Sequence, residues 1–197
     1  MLIKSFLFEF IILIVLMLIA PLSVLMDLSV LKNNISEVSI TEFMQEFLIL
    51  FAAIIFFKAY LKTKEHKGLY ILAAGLFLMM FIREADYYLD QIVHGFWKFP
   101  VILVLLTSIY YARKSNTNIL NSILVESKTK EFTIVLIGFL IIVLFSRLFG
   151  TSSLWELVVS SEYIHITKTV VQEGLELFGY SILFYGAVLF HKRIKEA

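Results

Sequence analysis

The sequence predicts an all-α, polytopic integral membrane protein, a bundle of six transmembrane helices with both termini cytoplasmic. Three observations predict it. Of 197 residues, 60% are hydrophobic and only 17% charged, with a mean hydropathy of +0.89; soluble domains run near about 45–50% apolar and about 25% charged. The apolar residues gather into runs close to the ~20 that cross a ~30 Å hydrocarbon core. Lysine and arginine then alternate between rich and poor connections along the chain.

The first run covers about residues 6–26. Its apolar stretch, Phe10 to Met26, is longer than the core of a secretory signal. Glu9 flanks it and no small-x-small cleavage site follows, so it reads as a retained helix. The second covers about 41–62, with Thr41 as the expected N-cap. The third covers about 68–91 and the fourth about 98–113, where Lys98 and Arg113 would snorkel outward at its two ends. The fifth covers about 131–150 and the sixth about 168–190. Residues 152–161 are too short to span and read as a surface or re-entrant turn. Short loops and the absence of low-complexity linkers or internal repeats make residues 1–197 one transmembrane domain.

Orientation follows from the connections. Lys58, Lys62, Lys64 and Lys67 surround the second loop, and Arg113, Lys114, Lys128 and Lys130 the fourth. Lys4 precedes the first segment, and Lys192, Arg193 and Lys195 follow the last. Loops 1, 3 and 5 are poor in basic residues. The bias puts both ends and loops 2 and 4 inside a cytoplasmic membrane, with Trp97 and Trp155 at the outer interface.

Charges interrupt or border the apolar runs near one level, the outer side. Glu42 and Glu46 are i,i+4 and share a face, with Gln45 close to Glu42. Arg83, Glu84, Asp86 and Asp90 close the third segment. Arg147 sits about one turn below the outer end of the fifth. Glu173 and Glu176 are i,i+3 near the start of the sixth, with Tyr180 one turn deeper. An ionisable group in hydrocarbon costs at least ~2.5–3.5 kcal/mol on insertion scales, which suggests a paired network or a functional site. Acids outnumber bases, so some carboxyls should be protonated, solvated or bound to a cation. The expected cation site is Glu46, Glu84, Asp86, Glu173 and Glu176. Arg83 and Arg147 would orient these acids or hold an anionic group.

The leading expectation is cation-coupled handling of a small molecule or ion by a small transporter or transporter subunit, with a cation, a proton or a small molecule as its substrate. A second class is a metal-dependent membrane enzyme at the outer interface, with His94 and His165 joining Glu84, Glu173 and Glu176 around a divalent metal. A third is a non-catalytic assembly or immunity protein bound to a membrane partner. Beyond that divalent metal, the sequence indicates no cofactor. Cysteine is absent, which excludes disulfides, thiolate metal sites and a cysteine nucleophile. The net charge of +1 gives no sign of a nucleic-acid partner, and the bilayer itself is the principal partner.

Overall fold

The computed structural model describes residues 2–196, and their side chains apart from residues 2–6, 8 and 196. The Lys4 side chain of the orientation argument lies outside that description. The described residues form helices, turns and loops, with no strand among them.

Helix α1, Leu2–Met26, runs directly into a π-helical turn, Asp27–Leu31, which ends at Lys32 in the left-handed region. Helix α2 covers Ile40–Lys62, α3 Lys67–Glu84, α4 Asp86–Asp90, α5 Lys98–Lys114 and α6 Ile119–Glu126. Helix α7, Lys130–Leu140, passes through a second π-helical turn, Ile141–Phe145, into α8, Ser146–Phe149. Helix α9, Ser152–Trp155, is one turn long, and α10 covers Ile164–Glu196.

Four stretches are long and apolar enough to cross a membrane: Glu9–Leu31, Ile40–Lys62, Lys130–Phe149 and Ile164–Lys195. They coincide with the first, second, fifth and sixth segments read from the sequence. Large apolar side chains stay exposed along them, among them Phe10, Ile11 and Val15 of α1 and Phe51 and Phe57 of α2. Water does not tolerate such a surface and hydrocarbon does, so the chain is a membrane protein. Helices α3 and α5, with 18 and 17 residues, are shorter and carry charge at their ends.

The chain divides into two compact units, Met1–Gln45 with Leu136–Tyr185, and Glu46–Val135 with Gly186–Ala197. In the first unit, the Leu136–Phe149 stretch lies antiparallel to α10. A Cβ on Gly138 would meet Leu183 N at 2.5 Å and Gly179 O at 2.7 Å. A Cβ on Gly179 would meet Gly138 O at 3.0 Å. The two backbones therefore touch, an approach that small residues permit between membrane helices.

The turn after α1 is fixed by Asp27. Fully buried, its carboxylate accepts from Ile40 N at 2.9 Å, from Thr41 N at 2.9 Å, from Thr41 Oγ1 at 2.6 Å and from Asn33 Nδ2 at 3.1 Å. An anion thus sits on the amino end of α2, where free N–H groups and the helix dipole favour it. The N-cap is Ser39 rather than Thr41: Ser39 Oγ accepts from Glu42 N at 3.2 Å and Ser39 O from Phe43 N at 3.1 Å.

In the second unit, α3 packs against α5, and Phe56 joins Phe77 and Phe190 in an aromatic core with ring centroids 5.3 and 4.6 Å apart. One sequence expectation is corrected here. The third segment is not one helix to residue 91: α3 stops at Glu84, and Ala85 leaves helical geometry (φ −82, ψ 15) before α4 begins. The fourth connection contains a short helix. Asn118 accepts from Asn121 N at 3.0 Å and starts α6, which buries Glu126. Tyr70 Oη donates to Glu126 at 2.7 Å, and Arg193 pairs with the other carboxylate oxygen. Glu131, also buried, lies 3.9 Å from Arg193 Nε. Two buried acids thus face one arginine, whose Nε has no hydrogen-bond partner among the described residues.

Two substitutions test this architecture. Gly138→Leu, which forces the touching backbones apart, should lower stability by roughly 1–3 kcal/mol. Asp27→Ala, which strands the Ile40 and Thr41 donors, should cost about 2 kcal/mol. Thermal unfolding in detergent, followed by circular dichroism, measures both; an unchanged midpoint in either variant would contradict the contact concerned.

Candidate functional site

The polar side chains that gather inside apolar helices of the first unit come from three stretches of chain. Glu42 and Gln45 lie on the first two turns of α2, Ser146 and Arg147 on α8, and Gln172, Glu173 and Glu176 on α10. The antiparallel contact sets the register. From the Gly138/Leu183 crossing, Ile142 reaches Gly179, Ser146 reaches Glu176, and Gly150 reaches Gln172, where an added Cβ would lie 2.1 Å from Gln172 Oε1. The steps of four residues keep Gly138, Ile142, Ser146 and Gly150 on one face.

Glu176 is 2% exposed. It accepts from Ser146 Oγ at 3.0 Å and from Gln172 Nε2 at 3.2 Å, and Arg147 Nη2 lies 3.6 Å away. Ser146 also donates toward Ile142 O at 2.5 Å, so its single hydrogen is shared between the π-helical turn and the carboxylate. The Arg147 side chain is 55% exposed, so one end of this pair reaches the protein surface.

One turn away, Glu173 Oε2 and the Glu173 carbonyl both accept from Gln45 Nε2, each at 3.2 Å. The Glu42 carboxyl lies beside that of Glu173. Gln45 is fully buried, and its Oε1 has no hydrogen-bond partner among the described residues. Turning the amide over would aim Oε1 at two acceptor oxygens of Glu173, so the orientation is set and the acceptor stays unmatched. Three acids, Glu42, Glu173 and Glu176, meet one arginine. The cluster is rich in acceptors and short of donors, an arrangement suited to a proton or a cation.

The other residues singled out from the sequence belong to the second unit, except His165. Glu46 on α2 is half-buried. Arg83 pairs with Asp86, its neighbour three residues on, and its guanidinium lies 5.6 Å from the Trp97 ring. Glu84 closes α3 and is half-buried. Asp90 Oδ1 accepts from Gly95 N at 2.9 Å, and Oδ2 lies 3.2 Å from His94 Nδ1, whose side chain is fully exposed. His165 is exposed on the first turn of α10. Among the described residues, no three His, Asp or Glu side chains are grouped as metal ligands.

Sequence reasoning placed Glu173, Glu176 and Arg147 but passed over Ser146 and Gln172. The signal was present: Gln172 is i,i+4 to Glu176, and Gly138, Ser146 and Gly150 fall on one four-residue spacing that Ile142 interrupts. Asp27, Glu126, Glu131, Tyr70 and Arg193 were also overlooked as buried polar groups. Their spacing along the chain is long, and only the fold joins them.

Together these features define an all-helical membrane protein with a carboxylate–amide cluster inside its spanning helices. Comparison with known protein families, with curated proteins and with solved structures finds no match.

The Ser146–Glu176–Arg147 geometry carries its own test. Ser146→Ala removes a buried donor and should destabilise by roughly 1 kcal/mol. Arg147→Gln removes an exposed partner and should cost about 1 kcal/mol or less. Glu176→Leu in the Arg147→Gln background should cost less than in the parent, because the arginine is no longer left unmatched. A double-mutant cycle with strictly additive effects would contradict the pairing.

Proposed function

We propose that the protein is a small cation-coupled transporter or transporter subunit, and that Glu173 with Gln45 and Glu42 is its cation or proton site. One observation carries the reading: the unmatched, buried Gln45 Oε1 in the same amide that donates to Glu173. A carboxylate and an amide oxygen are hard oxygen ligands of the kind small cations take. In the absence of a cation, a proton on the Glu173 carboxyl takes its place. Exchange of that proton for a cation is the elementary step of coupling. Glu176, held by Ser146, Gln172 and Arg147, keeps a fixed charge beside the exchanging one.

Six spans, with both termini in the cytoplasm, complete the proposal. Helices α3 and α5 would supply the third and fourth crossings, at about 25–27 Å each from ~1.5 Å per residue. The lysine-rich α2–α3 connection faces inward on this reading, and the Glu173 end of α10 faces outward. A cysteine-free chain allows a direct check. Lys64→Cys should resist a membrane-impermeant maleimide on intact cells, and Val158→Cys should react. The opposite labelling would invert the topology.

A non-catalytic assembly or immunity role has one observation in its favour, the full set of partners around Glu176. A metal-dependent enzyme has less support, because His94 pairs with Asp90 at the exposed surface. Reconstitution separates transport from packing. Liposomes carrying an internal pH dye and an inward Na⁺ or K⁺ gradient should show protein-dependent proton movement. Glu173→Gln should abolish it and leave the unfolding midpoint within a few degrees of the parent. Equal flux in parent and variant would remove Glu173 from the site, and unfolding of the variant would favour the packing role.

A further inference from the structure

Within the second unit, α2, α3 and α5 enclose a groove of about 330 Å³. Ala53 and Phe57 of α2, Ala74 and Gly75 of α3, and Thr107 and Tyr111 of α5 lie along it. The lining is apolar even where its residues are not. Thr107 Oγ1 donates to Leu103 O at 2.8 Å and to Val104 O at 3.0 Å, so the hydroxyl is spent on its own helix and asks nothing of an occupant. Phe57 and Tyr111 are 47% and 43% exposed, so the groove opens at the protein surface. Its length on α2, from Leu50 to Phe57, is about 10 Å at ~1.5 Å per residue. That is most of one leaflet of a ~30 Å core.

The two ends of the groove differ. At the Phe57–Tyr111 end all three helices reach basic residues within two turns: α2 ends at Lys62, α3 starts at Lys67, and α5 ends at Arg113 and Lys114. Tyr60 links this rim to the groove. Its ring centroid lies 6.4 Å from that of Tyr111, and Lys67 Nζ sits 4.7 Å over it. Lys114 Nζ is 6.0 Å from the Tyr110 ring. Neither lysine is ion-paired among the described residues, so both charges are held by aromatic faces and remain available to an anion.

We propose that this groove and its basic rim form a binding site for an anionic glycerophospholipid. One acyl chain lies in the groove, and the phosphate is held by Lys67 and Lys114. The occupant is fixed by complementarity along a single axis. The apolar section matches a hydrocarbon chain in length, and the rim supplies positive charge and aromatic rings at the level where headgroups lie. A soluble anion would use the rim alone and leave the groove unfilled.

The full-length protein, purified in a mild detergent and supplied with an equimolar mixture of phosphatidylglycerol and phosphatidylcholine, is examined by native mass spectrometry. Phosphatidylglycerol should be retained about tenfold over phosphatidylcholine, a preference within what two near-surface lysines supply. Lys67→Glu/Lys114→Glu should erase the preference. Thr107→Trp, an exposed position on the groove wall, should reduce retention of both lipids. Ile54→Trp, on the opposite wall, gives an independent filling variant should the first fail to fold. Excess glycerol phosphate should not displace the lipid. Equal retention of the two lipids, unchanged retention in the folded filling variants, or displacement by glycerol phosphate alone would each overturn the proposal.

Discussion

A polar group within the apolar span of a membrane helix has no water to turn to, so its partners must come from the protein. Much of this fold follows from that constraint. Asp27 is buried at the end of a long apolar helix, and its four hydrogen bonds come from the turn and from the first residues of α2. Moving α2 by one residue would leave the carboxylate facing the wrong donors, so the pairing fixes where α2 begins. Glu176 draws Ser146 and Gln172 to itself by the same logic. In the second unit Glu126 draws in Tyr70 and Arg193. Burial of each charge is tolerable because its partner set is nearly complete.

Within the first unit the Gln45–Glu173 pair stands apart. Its amide is held by two hydrogen bonds to Glu173, yet its own oxygen is unmatched in a fully buried place. An unsatisfied buried acceptor costs roughly 1–3 kcal/mol. That cost is the observation on which the proposed cation or proton site rests. The scaffold around it is stiff for a physical reason. Gly138 and Gly179 bring two backbones into contact, and the four-residue repeat carries Ser146 to Glu176 in fixed register. The π-helical turn ahead of α8 adds a residue's worth of rotation to that register, a feature that often accompanies function.

Much of the helical pattern was legible in the sequence, because hydrocarbon selects long apolar runs and these survive any detail of packing. The first, second, fifth and sixth runs became the four spanning-length helices. What was not legible depends on local geometry or on distant partners. The break at Ala85 has no proline or glycine to announce it, so a continuous helix was the natural expectation. The Ser39–Glu42 pattern did signal a cap, but Thr41 stood closer to the apolar run and drew the assignment. The grouping of Glu126 and Glu131 with Arg193 was not legible, because periodicity cannot reveal which distant helices bring buried charges together. At the candidate site the carboxylates were visible as charges in apolar runs. The decisive atom, Gln45 Oε1, was not, since a missing partner is a property of the fold.

The central claim is that the acceptor-rich pair around Glu173 exchanges a proton for a cation. Infrared difference spectroscopy of the purified protein in lipid, with ¹³C-glutamate labelling to isolate the carboxyl band, reads this directly. Addition of the coupling cation should remove a protonated-carboxyl band, and Glu173→Gln should lack that change. A carboxyl spectrum indifferent to Na⁺, K⁺ and Ca²⁺ throughout the pH range in which the protein stays folded would contradict the account.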